Sequence, residues 1–163
     1  MGQCVVYVAG IFDLFHRGHV ELFRKARGLG DKLVVAVNTD AFSERYKRKP
    51  VFSEQDRLEI VKACRFVDEA FLIDDYDNRD SILKYGAKKI VHGDDWTGDS
   101  YLEQLCLTKE FIDRHGIEMV YVPYWVGIST SATIANVADR SLGASPSSTP
   151  GDRTLSTESV QER

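Results

Sequence analysis

Short apolar runs alternate with longer amphipathic segments along the chain, a pattern typical of a parallel sheet flanked by helices. The first apolar run, residues 3–9 (QCVVYVA), is continuous and β-rich, as expected of a strand covered on both faces. Residues 20–29 then place apolar side chains at helical spacing, and Gly30 ends this helix. Further strands are predicted at residues 32–38, 70–73, 89–92 and 119–122. The pattern therefore predicts one α/β domain with a five-stranded parallel sheet.

Start and stop signals predict the helices between these strands. Ser53, with Asp56 three residues later, indicates a capping box that opens a helix ending near Cys64. Gly86 and Gly116 end two later helices. The remaining helices are predicted to start near residue 40, to span residues 81–85 and 101–115, and to start again near residue 131.

The composition changes after Arg140. Residues 141–163 consist mainly of Ser, Thr, Pro, Gly and charged residues, and contain only three large apolar side chains. Such a segment cannot bury enough surface to offset the entropy of ordering it. The sequence therefore predicts a folded domain over residues 1–140 and a disordered tail over 141–163. The tail is either a passive extension or a carrier of modified Ser and Thr residues.

Charge and cysteine content narrow the possible functions. The chain has 21 Lys and Arg against 25 Asp and Glu, a formal net charge of −4, which argues against a general nucleic-acid binder. Cys4, Cys64 and Cys106 show no Cys-x-x-Cys spacing, as expected of buried thiols in a reducing compartment. The sequence contains neither a membrane-spanning apolar run nor a recognisable secretory signal. A cytoplasmic protein is expected.

A pair of histidines follows the first strand, where a helix begins. His16, Gly18 and His19 lie at a predicted helix N-terminus, whose unpaired N–H groups and positive dipole end favour a phosphate. Both imidazoles can donate hydrogen bonds to one phosphate group, and Gly18 permits a close approach to the backbone. Alternatively, one histidine caps the helix and the other lies in solvent. The position between a strand and a helix favours the phosphate site.

Three segments together resemble the cytidylyltransferase family: GIFDLFHRGH at residues 10–19, GDDW at 93–96 and GIST at 127–130. The likeness runs from about Val5 to Val137. It implies a Rossmann-like sheet that binds CTP across the carboxyl ends of its strands. It also implies transfer of CMP from CTP to a small phosphorylated alcohol. The expected acceptor is sn-glycerol 3-phosphate, with CDP-glycerol and pyrophosphate as products.

The resemblance also implies roles for individual residues. His16, His19 and Lys47 are the implied catalytic residues, which bind and activate the triphosphate. Arg57 and Lys49 are the implied contacts to the acceptor or a phosphate. The alternative for Lys47 and Lys49 is that they are solvated charges in a linker. The alternative for Arg57 is that it forms an ion pair on the surface. The implied nucleotide-binding residues are Gly10, Ile11, Phe12, Asp13, Gly18, Gly93, Asp94, Asp95, Trp96, Gly127, Ile128, Ser129 and Thr130.

The resemblance also implies a metal ion and an oligomeric state. Mg²⁺ is expected to accompany CTP and to bind mainly through its phosphates, with no protein ligand identified from the sequence. A homodimer is expected because members of the family are commonly homodimers. Within GDDW, the aspartates have a plainer alternative as helix caps.

The sequence departs from the family pattern just before GIST. Many members carry Arg-Thr-Glu at the three positions where this chain has Tyr124, Trp125 and Val126. The phosphate contact of the family arginine is therefore missing, or is supplied by another group such as Arg17 or Arg48. Tyr124 and Trp125 are expected to pack at the rim of the site. This departure leaves the acceptor less well defined than the nucleotide.

The implied reaction needs no general base, because a phosphate monoester is already an anion near neutral pH. Catalysis then consists of positioning the reactants and neutralising their charge. Three alternatives remain open. The acceptor is instead phosphoethanolamine, a sugar phosphate or a phosphonate; the donor is ATP, as in an adenylyltransferase; or the domain binds a nucleotide without turning it over.

Overall fold

Five parallel strands form a single sheet in the order β3-β2-β1-β4-β5. The computed structural model describes residues 2–94, 102, 105–123 and 125–143. The strands are β1 (Val5–Gly10), β2 (Lys32–Asn38), β3 (Glu69–Ile73), β4 (Ala87–Gly93) and β5 (Glu118–Val122). The chain builds outward from β1 to β3, then crosses back to the other side of β1 to add β4 and β5. The Rossmann-like α/β fold predicted from the sequence is confirmed.

Six helices lie in the described part of the chain. They are α1 (Arg17–Arg27), α2 (Asp40–Tyr46), α3 (Glu54–Ala63), α4 (Arg79–Tyr85), α5 (Lys109–His115) and α6 (Thr130–Gly143). The Ser53 side chain accepts a hydrogen bond from the Asp56 N–H at the start of α3, as its spacing predicts. Gly86 and Gly116 take left-handed conformations that end α4 and α5.

Alternation along the central strand builds a core on each face of the sheet. Val6 and Val8 of β1 point to the face covered by α1 and α3, where they belong to one cluster with Phe23 and Val61. Tyr7 points to the opposite face, which α4 and α5 cover. Burying one large apolar side chain contributes about 1.5–3 kcal/mol. These two cores hold the carboxyl ends of the strands in fixed positions.

The predicted long helix over residues 101–115 is wrong. The chain turns at residues 105–108, where Cys106 has a positive φ of 52°. The side chain of Thr108 then caps α5. Leu105 and Leu107 are both buried, whereas on a helix two residues apart would point about 200° away from each other. Burial of both leucines therefore favours a turn.

The last helix runs to Gly143, three residues beyond the predicted domain boundary at 140. The rest of the predicted tail, residues 144–163, lies outside the described residues. Within the described ranges, no helix has the length and apolar character needed to cross a membrane.

Candidate active site

A cavity of about 610 Å³ lies at the carboxyl ends of the strands and is lined by residues from both sides of β1. The strand order reverses between β1 and β4, and ligands of open α/β sheets bind at such a point. The residues between β1 and α1 contribute the centre of the cavity wall, including Asp13, His16 and His19. The fold therefore brings the histidine pair to the place where its topology creates a crevice.

The two histidines cap α1 reciprocally. The Nδ1 atom of His16 accepts a hydrogen bond from the Gly18 N–H at 3.0 Å. The Nδ1 atom of His19 accepts one from the His16 N–H at 3.3 Å. The imidazole rings stack with their centroids 3.9 Å apart. Helix capping and exposure to the cavity are thus combined in the same side chains.

This capping places the proton of each neutral imidazole on Nε2, because Nδ1 already acts as an acceptor. Burial lowers the pKa of His16. Burial also lowers the pKa of His19 to about 3; His16 and Lys47 act in the same direction and Asp13 opposes them. The Nε2 atom of His16 is buried and has no hydrogen-bond partner among the described residues. A buried donor without a partner among the described residues is a candidate for binding a phosphate oxygen.

The loop between β1 and α1 is strained. Phe12 and Leu14 have positive φ angles of 56° and 45°. Non-glycine residues in this conformation cost about 1–3 kcal/mol each and concentrate at functional sites. Phe12 is held in place by ring contacts with His19 and Phe23, at centroid distances of 5.5 and 5.0 Å. The strain therefore coincides with the segment that positions the histidines.

Asp13 links three loops at the cavity wall. Its carboxylate accepts hydrogen bonds at 3.0 Å from the backbone N–H groups of Val51 and Phe52 and from the Arg48 guanidinium. Burial acts to raise the pKa of Asp13, but these hydrogen bonds outweigh it and lower the pKa. The Asp13 carbonyl also accepts a hydrogen bond from the Thr130 hydroxyl at 2.8 Å. Asp13 lines the cavity, but its carboxylate is occupied in holding the loop before α3.

Arg57 lies behind this loop, fully buried, and is not among the residues that line the cavity. Its guanidinium donates hydrogen bonds to the carbonyl oxygens of Ile11, at 2.5 Å, and Phe52, at 3.1 Å. It also forms an ion pair with Asp40 at 2.6 Å. Arg57 therefore joins the loop after β1 to the loop before α3. Its predicted contact with a phosphate or the acceptor stays a prediction.

The basic segment after α2 lies at the cavity mouth. Lys47 and Arg48 line the cavity, whereas Lys49 is exposed and does not. Arg48 forms an ion pair with Asp13 at 3.0 Å. Of the two residues that line the cavity, Lys47 is the more exposed.

On the other side of β1, only some residues of the GDDW and GIST segments line the cavity. Gly93 lines the cavity, Asp94 is exposed, and Asp95 and Trp96 lie outside the described residues. In the second segment, Ser129 and Thr130 line the cavity, whereas Gly127 and Ile128 line a neighbouring depression beside α6.

Trp125 lines the cavity at the position where the sequence departs from the family pattern. The Arg17 guanidinium lies over its ring, 4.2 Å from the centroid, a distance that allows a cation–π contact. This contact agrees with the expected packing of Trp125 at the rim. Tyr124 lies outside the described residues.

Sequence reasoning missed a group of residues that line the cavity on the β2 side. They are Asn38, Phe42, Tyr46, Asn78 and Leu105. A usable signal was present for Asn38, a polar residue at the carboxyl end of a strand. Asn78 and Leu105 could not be placed, because their approach to β1 depends on long-range packing.

Gly18→Ala is expected to lower kcat/KM about 10²-fold, since small misplacements of a positioned group cost that much. An added Cβ would lie 2.8 Å from Cε1 and 2.9 Å from Nδ1 of His16, so the imidazole must move. The measurement is the pyrophosphate release that the family resemblance implies. Gly2→Ala is the matched control, because its Cβ would meet nothing within 4 Å. Equal activity in the two variants would contradict the role given to the His16 ring position.

Comparison with known proteins relates the chain to a family of enzymes. A family model described as cytidylyltransferase-like matches residues 7–136. The chain is 34% identical over 140 residues to glycerol-3-phosphate cytidylyltransferase of Bacillus subtilis (strain 168), covering 85% of this chain and 98% of that protein. It is 39% identical over 92 residues to ethanolamine-phosphate cytidylyltransferase of Arabidopsis thaliana, covering 55% of this chain and 22% of that protein.

Comparison with a solved structure supports the fold. The lipopolysaccharide core biosynthesis protein from Thermoplasma volcanium GSS1 aligns with a TM-score of 0.62 at 26% identity. The alignment covers 76% of this chain and 99% of that chain. The extent of the family match, together with a relative matched over 98% of its length, shows that the chain belongs to the cytidylyltransferase-like family of nucleotidyltransferases.

Proposed function

We propose that this cytidylyltransferase transfers CMP from CTP to sn-glycerol 3-phosphate, releasing CDP-glycerol and pyrophosphate. The observation that carries the nucleotidyl transfer is the buried, unpartnered Nε2 of His16, stacked beside His19 in the cavity wall. The choice of acceptor is supported by the similarity to glycerol-3-phosphate cytidylyltransferase over 98% of that protein.

In the proposed reaction, an oxygen of the acceptor phosphate attacks the α-phosphorus of CTP. A new P–O bond forms, the bond between the α-phosphorus and the bridging oxygen breaks, and the electron pair leaves with pyrophosphate. The attacking oxygen is already anionic near neutral pH, so no side chain has to remove a proton. The protein's task is to position two anions and stabilise the charge that moves to the leaving group.

The histidines perform this task as neutral donors. Their lowered pKa values keep both imidazoles uncharged near neutral pH in the unliganded site, with a proton on Nε2. We propose that His16 and His19 donate Nε2–H bonds to phosphate oxygens, while the N-terminus of α1 adds its backbone dipole. Donors held in place by helix capping do not have to reorganise when charge develops.

Lys47 and Mg²⁺ complete the proposed site. Lys47 lines the cavity with an exposed side chain, and we propose that its ammonium contacts the triphosphate. Among the described residues, no three His, Cys, Asp or Glu side chains converge in a metal-binding group. A fully protein-made metal cage therefore does not fit these residues, whereas Mg²⁺ commonly binds through substrate phosphates and water. Mg²⁺ bound in this way would neutralise charge on the triphosphate.

The experiment that tests the function is pyrophosphate release measured with CTP and ATP in turn, each with sn-glycerol 3-phosphate and Mg²⁺. We expect turnover with CTP and a strong preference for CTP over ATP. Preference for ATP would replace the proposed donor and favour an adenylyltransferase. Nucleotide binding without pyrophosphate release, with any phosphorylated acceptor, would favour a non-catalytic domain.

We also propose that the enzyme acts as a cytoplasmic homodimer. The support for a dimer is the family resemblance. The support for a reducing compartment is that Cys4, Cys64 and Cys106 are free thiols. Their predicted burial is wrong, because Cys4 and Cys64 are half-buried and Cys106 is exposed.

A further inference from the structure

One end of the cavity is lined by residues that no sequence motif explains. Asn38 ends β2, Phe42 and Tyr46 lie on α2, and Asn78 follows β3. We call these four residues the β2-side subsite. The strand order places β2 and β4 on opposite sides of β1. With neighbouring strands about 4.8 Å apart, β2 and β5 are separated by about 14 Å. This span suits a nucleotide and a second small molecule side by side.

The polar groups of the β2-side subsite are fixed by buried hydrogen bonds. Asn38 Nδ2 donates to the Tyr46 hydroxyl at 2.7 Å. The Tyr7 hydroxyl donates to Asn78 Oδ1 at 2.7 Å, and Asn78 Nδ2 donates to the Tyr76 carbonyl at 2.9 Å. Asn38 and Asn78 are 4% and 1% exposed. The two carboxamides are therefore held in place before any ligand binds.

Both carboxamides keep hydrogen-bonding capacity within the described structure. Asn38 Oδ1 has no hydrogen-bond partner among the described residues, and Asn78 uses one of its two amide N–H groups there. A ligand hydroxyl can donate a hydrogen bond to a carboxamide oxygen such as Asn38 Oδ1 and can accept one from an amide N–H such as that of Asn78. Phe42, packed edge-on against Tyr76 at a centroid distance of 4.5 Å, offers an apolar surface for the carbon atoms of a ligand. The subsite thus has the chemistry of a small polyol site.

The charges around the cavity disfavour a cationic ligand. The carboxylates among its described lining residues are Asp13 and Glu21. Asp13 is paired with Arg48 at 3.0 Å, and Glu21 with Arg24 at 2.8 Å. Lys47 adds a positive charge at the same mouth. An ammonium group in the β2-side subsite would therefore find no uncommitted carboxylate among these lining residues. Beside the subsite, Asp40 is paired with Arg57 and Asp77 with Arg79.

We infer that the β2-side subsite binds the uncharged, hydroxyl-bearing tail of the acceptor, and that Asn38 and Asn78 select a phosphorylated polyol over a phosphorylated amine. This inference rests on the proposed cytidylyl transfer and specifies the acceptor class for it. The acceptor phosphate lies towards Lys47 and the histidines, and its tail extends to the two carboxamides.

The test uses three acceptors of nearly equal size with CTP: 2-hydroxyethyl phosphate, 2-aminoethyl phosphate and ethyl phosphate. They differ in carrying a hydroxyl, an ammonium or a hydrogen at one position. We expect kcat/KM for the hydroxyl compound to exceed that for the amine by about 10²-fold, because the amine leaves polar groups and a charge unpaired. Ethyl phosphate should fall about tenfold below the hydroxyl compound, the loss expected for its missing hydrogen bonds.

Asn38→Asp adds a carboxylate to the subsite at nearly constant shape. We expect it to shift the preference towards 2-aminoethyl phosphate by at least about tenfold through a charge-assisted hydrogen bond, with the KM for CTP unchanged. Gln55→Glu adds the same charge on the exposed surface of α3 and is the matched control, expected to leave the preference unaltered.

The outcomes separate this inference from the proposed function. Equal or better use of 2-aminoethyl phosphate by the wild-type enzyme would overturn the selection for a polyol while leaving cytidylyl transfer intact. Pyrophosphate release with none of these acceptors, nor with sn-glycerol 3-phosphate, would overturn the proposed function itself. If Asn38→Asp does not fold, the wild-type comparison of the three acceptors still decides.

Discussion

His16→Asn is expected to lower kcat by about 10²–10³-fold, the loss typical of removing one preorganised donor to a developing negative charge. Asparagine is a favoured N-cap residue, so its side-chain oxygen can accept the Gly18 N–H bond that His16 Nδ1 now accepts. The substitution therefore keeps the start of α1 and removes the buried Nε2–H group. The measurement is the rate of pyrophosphate release at saturating CTP and acceptor.

Two comparisons make this result specific to the phosphate contact. His115→Asn changes a histidine on α5 that does not line the cavity, and its kcat should equal that of the wild type. The circular dichroism spectrum and thermal midpoint of His16→Asn should stay close to the wild-type values. Full activity of His16→Asn would show that His16 only caps the helix. His19→Ala is expected to lose turnover as well.

Arg57→Leu is expected to lower the free energy of unfolding by about 3 kcal/mol, because it removes the buried member of an ion pair whose other member, Asp40, is partly exposed, and leaves two carbonyl acceptors without their side-chain donor. The guanidinium is fully buried and serves the carbonyl oxygens of Ile11 and Phe52 together with the Asp40 carboxylate. A leucine leaves these acceptors unpaired and disconnects the loop after β1 from the loop before α3. Urea unfolding measures the loss.

Arg45→Leu is the matched control, because Arg45 is exposed on α2 and surface substitutions commonly change stability by less than about 0.5 kcal/mol. A second readout separates the two roles considered for Arg57. If Arg57→Leu keeps the wild-type stability but raises the KM for CTP or the acceptor, the phosphate contact predicted from the resemblance is favoured and the structural role is wrong.

The order of elements could be predicted from the sequence because it depends on local patterns. The continuous apolar runs of the strands, the glycines that end α4 and α5, and the Ser53 cap are each visible within about ten residues. The histidine pair was also placed correctly in the chain, at a strand-to-helix junction. The helix predicted over 101–115 failed because burial of Leu105 and Leu107 outweighed helical spacing.

The tertiary structure decided what the polar side chains near the site do. Asp13 contacts residues 38 and 39 positions further along the chain, and Arg57 reaches back 46 positions to Ile11. Their partners follow from the strand order and from how the loops pack, which residue periodicity does not encode. The same holds for the β2-side subsite, where Tyr7 and Asn78 meet across 71 positions.

The sequence by itself therefore determined the α/β architecture and the location of the histidine pair, because both arise from neighbouring residues. Only the tertiary structure decided which atoms of His16 and His19 are committed to capping and which face the cavity. It also decided which side chains line the acceptor end. The physical reason is that a hydrogen bond needs its two atoms within about 3 Å, and packing sets that distance for residues far apart in the chain.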